Sequence, residues 1–107
     1  MQFLSLSIRR TDRFSDAEFA ELVDAEASRA RELYAAGFIR QIWHRADLPG
    51  ACMVLEADSL DEARARLCTL PLIRAGMLEV SIVPLAPYAG FVTGSRPLQP
   101  LTTERDG

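Results

Sequence analysis

The pattern S-x-x-E occurs twice in this chain, as Ser15 to Glu18 and as Ser59 to Glu62, and each copy stands between segments that read as β-strands. In such a box the serine oxygen accepts a hydrogen bond from a free N–H of the first helical turn, and the glutamate reaches back to the serine's N–H. Two helix starts set between extended segments constrain the fold more than any other feature. Ahead of the first box, Leu4, Leu6 and Ile8 alternate with Ser5, Ser7 and Arg9, which predicts a strand over residues 2–9. After it, Phe19, Ala20, Val23, Ala27, Ala30, Leu33 and Tyr34 keep a helical period up to Gly37, so a helix is expected from Asp16 to Ala36, with Phe14 and Phe19 as a hydrophobic staple.

Phe38 to Arg45 is rich in β-branched and aromatic residues, and Leu48-Pro49-Gly50 separates it from the apolar run Ala51 to Leu55. That predicts strand, hairpin loop, strand. The second box opens a shorter helix with Leu60, Ala63, Leu67 and Leu70 inward, ending before Pro71. Met77 to Val83 alternates again and predicts a fourth strand, with Leu78, Val80 and Ile82 opposed to Met77, Glu79 and Ser81. Two strand–helix–strand units joined by a hairpin make an α+β, ferredoxin-like βαββαβ domain with a four-stranded antiparallel sheet over residues 1–85. Pro87, Gly90, Gly94, Pro97 and Pro100 break any regular pattern beyond it, so residues 86–107 are expected to form an extended C-terminal tail.

At 107 residues, 49% hydrophobic and 25% charged, the chain suits one domain around one core. A net charge of −3, with the arginines distributed along the chain, argues against nucleic-acid binding. No run approaches the length of a membrane span, and with Met1 leading directly into an alternating segment no secretion signal is expected. Cys52 and Cys68 have neither a metal-ligand nor a disulfide spacing, and are expected to be buried thiols of a cytoplasmic protein.

Both helices of such a fold pack on one sheet face. The other face is expected to carry Ser5, Ser7, Arg9, Glu79 and Ser81 beside Phe3, Met77 and Val83. That surface is too apolar for free solvation and too polar for a dry core. A cavity enclosed by two such sheets packed face to face in a homodimer or larger homo-oligomer would satisfy both properties.

Arg40-Gln41-Ile42-Trp43 after Gly37, Leu70-Pro71-Leu72 after the second helix and Leu78-Glu79-Val80 in the last strand resemble the R-H-L-W, L-P-L-F and I-E-V segments of muconolactone delta-isomerases. The resemblance covers residues 1 to about 85, and in its register Glu26 matches the family's acidic residue in the first helix. It implies a dimeric α+β barrel that uses no metal or organic cofactor and moves a proton to shift a double bond in an unsaturated lactone. The chain departs from the pattern at several points. The motif histidine is Gln41, the arginine after the tryptophan is His44, and the phenylalanine of L-P-L-F is Ile73. A polar hairpin H-Y-A-N-Y-S is replaced by Leu48-Pro49-Gly50-Ala51-Cys52-Met53, which exchanges polar recognition groups for apolar ones.

Proton transfer beside a carbonyl needs a base near neutral pKa and donors for the developing enolate. Glu26, Glu79 and His44 are the candidate catalytic residues. Spacing alone leaves Glu26 open between a cavity edge and a solvated carboxylate paired with Arg29 or Arg31. Glu79 interrupts an apolar strand and is either a base raised by desolvation or the partner of Arg9 or Arg40. Histidine is the residue type suited to acid–base work near neutral pH, and His44 shares its strand face, by period two, with Ile42 and Arg40, so imidazole and guanidinium could converge on an anionic substrate. Trp43 is expected in a core or interface, with stacking on a ligand as the alternative. Ser5, Ser7 and Ser81 are expected to line the cavity as substrate-binding hydroxyls. The leading functional reading is a cofactor-free isomerase of a small unsaturated lactone or carbonyl compound. A cofactor-independent monooxygenase of polyphenolic compounds and a non-catalytic ligand-binding or assembly protein are the alternatives.

Overall fold

The structure is a computed structural model and describes residues 1–94. Its elements are β1 (Gln2–Arg9), α1 (Asp16–Ala35), β2 (Ile39–His44), β3 (Ala51–Glu56), α2 (Leu60–Leu67), α3 (Pro71–Arg74), β4 (Leu78–Leu85) and α4 (Ala89–Gly94). The four strands form one antiparallel sheet in the order β2-β3-β1-β4, the arrangement that two strand–helix–strand units predict.

Both helix starts form where the serine boxes place them. Ser15 Oγ accepts from the Glu18 N–H at 3.2 Å while Glu18 Oε1 accepts from the Ser15 N–H at 2.8 Å, and Phe14 meets Phe19 edge-on at 6.2 Å between ring centroids. Gly37, at φ +84°, ends α1 in the left-handed region that a side chain disfavours. At the second box Ser59 Oγ accepts from the Glu62 N–H, but the Glu62 carboxylate reaches one residue further back, to the N–H of Asp58. Pro71 does more than stop a helix. It occupies the first turn of α3, where its missing N–H is not needed.

The main core joins Phe3, Met53 and Leu55 of the sheet to Leu33 of α1, Ala63 and Leu67 of α2, and Leu70. Phe19, Leu72 and Met77 form a second buried cluster that ties α1 to α3 and to the start of β4. Direct cross-strand partners point to the same side of a sheet, so the register fixes the faces. Ser5 opposes Met53 and Ile82, and Arg9 opposes Leu78, which places Phe3, Ser5, Ser7 and Arg9 under the helices. Leu4, Leu6 and Ile8 oppose Val54, Cys52, Val83, Ser81 and Glu79 on the open face.

The alternation in β1 is therefore as expected, but its faces are reversed. Ser5, Ser7 and Arg9 do not share a face with Glu79 and Ser81, and the open face is more apolar than the sequence pattern suggests. Cys52 lies half-buried on that open face and Cys68 is exposed, so neither is a fully buried thiol. The stretch expected as an extended tail carries α4 instead, and its residues 95–107 lie outside the described residues. Among the described residues no helix is long and apolar enough to cross a membrane.

Candidate active site

A cavity of about 670 Å³ lies on the helix-covered side of the sheet, between α1 and the end of the sheet formed by the β2–β3 hairpin. Ser7 and Arg9 enter it from β1, Ile42 and His44 from β2, and Ala51 and Met53 from β3. Helix α1 contributes Val23, Glu26, Ala27, Ala30 and Arg31, and Leu70, Leu72 and Leu78 supply further apolar wall. The helix presents Phe19, Leu22, Glu26, Ala30 and Leu33 inward at spacings of three or four, so Glu26 occupies a core-facing position.

Glu26 is half-buried, and its Oε1 accepts a hydrogen bond from the Leu72 N–H at 2.9 Å. That N–H belongs to the first turn of α3, whose cap residue Leu70 offers no side-chain acceptor. Burial pushes the Glu26 carboxyl above the ordinary glutamate value, against the opposing pull of the Leu72 hydrogen bond and of the Arg9 charge. Among the described residues its second oxygen has no hydrogen-bond partner.

The hairpin loop forms one wall. Gly50 lies so close to β1 that a Cβ there would overlap the Ser7 carbonyl oxygen. The approach is held by Arg9 N–H to Pro49 O at 2.8 Å and by the Ser7 hydroxyl, which accepts from the Ala51 N–H at 3.0 Å. Arg45 is committed to Asp47, donating from Nε to Oδ1 at 3.0 Å and from Nη2 to Oδ2 at 2.8 Å, and this pairing holds the Asp47 carboxyl below the usual range. His44 and Arg31 line the cavity from exposed positions.

A profile of the muconolactone delta-isomerase family matches residues 1–90, well over half of the chain. The chain belongs to the muconolactone delta-isomerase family. A crystal structure of a muconolactone isomerase is similar at a TM-score of 0.69 and 19% identity, over 98% of this chain and 100% of that one. The 5-chloro-2-hydroxyhydroquinone dehydrochlorinase of Burkholderia phenoliruptrix, in complex with 2,5-dihydroxybenzoquinone, is similar at a TM-score of 0.62 and 18% identity, over 84% of this chain and 98% of that one. At these identities the likeness is one of fold. No protein of curated function matches the chain in sequence.

In this member of the muconolactone delta-isomerase family, the cavity brings together Glu26, His44 and Ser7 of the residues singled out from sequence. It does not form on the open sheet face, where the sequence pattern places it. Glu79 and Ser81 are exposed on that opposite face, and Trp43, at 52% exposure, shares it through its partner Cys52. Arg40 falls at the irregularity between Ile39 and Gln41 and does not line the cavity, which breaks its expected alignment with Ile42 and His44. Ser5 is buried beside Met53 and Ile82 with its hydroxyl unpartnered, and it too is outside the lining. Arg29, weighed as a partner of Glu26, pairs instead with Glu32. Arg9, expected with Ser7 on the open face and as a partner of Glu79, lines this helix-side cavity instead. The period-two relation to Ser7 holds, but the hydrophobic pattern assigns the wrong face of β1 to the helices. Among the described residues no group of three or more His, Cys, Asp or Glu is placed to hold a metal ion.

Proposed function

We propose that the chain is a cofactor-free proton-transfer enzyme that moves a C=C bond within a small unsaturated lactone or carbonyl compound, with Glu26 as the base. The observation that carries this reading is a carboxylate on the inward stripe of α1 that lines the cavity, raised in pKa by burial and anchored through one oxygen by Leu72. Membership of a family with catalytic members, and a cavity within the roughly 300–1,000 Å³ usual for small-molecule sites, support it.

In the reaction Glu26 removes a proton from carbon next to the conjugated carbonyl system, leaving a dienolate, and returns it at the other end of that system. Formula and oxidation state are unchanged, so the step needs no electron carrier. Anchoring of Oε1 fixes the other oxygen over one face of the substrate, which favours removal and return by the same group. In this reading His44, exposed at the cavity edge, is the second polar group that can meet the substrate's oxygen. Apolar walls from Ile42, Met53, Leu70 and Leu72 favour a substrate with an apolar body. The planar oxygenated ring in the dehydrochlorinase complex indicates the size of ligand that such a site can take.

The reading extends to a homodimer or larger homo-oligomer assembled through the open sheet face, and to a cytoplasmic setting, in keeping with two free thiols. The decisive experiment is incubation with a panel of unsaturated lactones in D₂O, following double-bond migration and deuterium uptake by NMR. Wild type should catalyse exchange on at least one class, and Glu26→Gln should lose about 10²-fold or more. Undiminished exchange in that variant would sink the assignment of the base.

A further inference from the structure

We propose that Arg9 is the anion-binding residue of the cavity, receiving an enolate or carboxylate oxygen of the ligand, with the Phe19 ring as its platform. The ligand class is therefore a small unsaturated or aromatic oxyanion. The proposal deepens the isomerase reading and rests on it for the identity of the reacting group, while the binding site itself stands on geometry.

Four cationic or potentially cationic side chains line the cavity: Arg9, Arg31, His44 and Arg45. Arg45 is already neutralised by two hydrogen bonds to Asp47. Arg31 and His44 are exposed, where water competes with any anion. Arg9 differs from all three. It is half-buried, and among the described residues its guanidinium has no carboxylate within ion-pair distance and donates no hydrogen bond. It rests instead on Phe19, whose ring centroid lies 4.8 Å from the guanidinium carbon. Phe19 is itself fully buried, so the platform is fixed, and the Arg9 backbone is fixed by its N–H bond to Pro49 O. A guanidinium stacked on a ring leaves its in-plane N–H donors free, in the fork that suits a carboxylate or enolate.

The migration of charge gives Arg9 its place in the chemistry. Proton transfer to the Glu26 carboxylate moves the negative charge from that carboxylate to the enolate oxygen, and Arg9, whose charge already acts on Glu26, is the half-buried cation that can stand beside it there.

Tetronic acid, an unsaturated lactone ionised as its enolate at neutral pH, and 2(5H)-furanone, its uncharged counterpart, separate charge recognition from shape. By titration calorimetry, wild type should bind tetronate more tightly than furanone. Arg9→Met should weaken tetronate at least about tenfold and leave furanone within about twofold. Arg31→Met should leave both unchanged. Should Arg9→Met not fold, Arg9→Gln carries the same test. Tetronate binding unaffected by loss of Arg9, loss of binding on replacing Arg31 instead, or no saturable tetronate binding to wild type in the millimolar range would overturn the proposal. The two readings fail separately: Glu26→Gln activity judges the base, and Arg9 variants judge the anion site whether or not turnover is found.

Discussion

A carboxylate that accepts a backbone N–H at 2.9 Å and is still pushed up in pKa loses more by burial than it gains from that bond and from Arg9 together. At Glu26 the consequence for stability has a definite sign. The folded state holds the proton more readily than the unfolded chain does. The stability contributed by this group is thus complete below the unfolded glutamate value and is lost as pH rises through the folded one. A glutamine in its place cannot ionise and keeps an acceptor for the Leu72 N–H. The thermal midpoint of Glu26→Gln should therefore gain on wild type as pH is raised above the ordinary glutamate value, and melts recorded through that rise would show parallel curves if burial were not the governing effect. The chain pattern could not reveal this balance, because whether Glu26 or its neighbours face inward depends on Leu22 and Phe19 setting the helix rotation.

At the scale of elements, the hairpin loop shows how closely the cavity wall is fitted. Replacing Gly50 by alanine would drive a methyl group into the β1 backbone at Ser7, and neither strand can yield without disturbing the Ser7 and Ala51 contacts. Gly50→Ala should cost about 1–3 kcal/mol in urea unfolding and weaken ligand binding in the same variant. The sequence contains more of the elements than of their facing. Ser15 with Glu18 and Ser59 with Glu62 locate both helices because caps are local chemistry. Helix α3 is hidden because four residues carry no periodicity and Pro71 signals an end as readily as a start. The face of β1 is misread because Leu4, Leu6 and Ile8 are the more apolar set, and hydrophobicity alone assigns such a set to the helices. Phe3 and the tertiary register decide otherwise.

Across the whole molecule, one sheet presents two unlike surfaces. The helix side holds the core and the cavity. The open side carries Leu4, Leu6, Ile8, Trp43, Val54 and Val83, and among the described residues no helix of the core packs over them. A surface of that composition favours burial against another such surface. Leu6→Glu should shift the protein toward monomer in analytical ultracentrifugation and leave tetronate binding within about twofold, since Leu6 points away from the cavity. Burial of this face in an assembly predicts wild-type Trp43 emission to the blue of that variant. Equal sedimentation of the two would show that this face is not the contact.

The two-residue period of β1 separates what selection can alter. Odd positions, Ser5, Ser7 and Arg9, belong to the helix side, whereas even positions, Leu4, Leu6 and Ile8, belong to the open side. Substitutions in one set can accumulate with little effect on the other, so the helix side and the open side can change separately. For an engineer the same strand offers two nearly independent libraries interleaved in one short stretch of codons. A one-residue slip of the strand's register would exchange them.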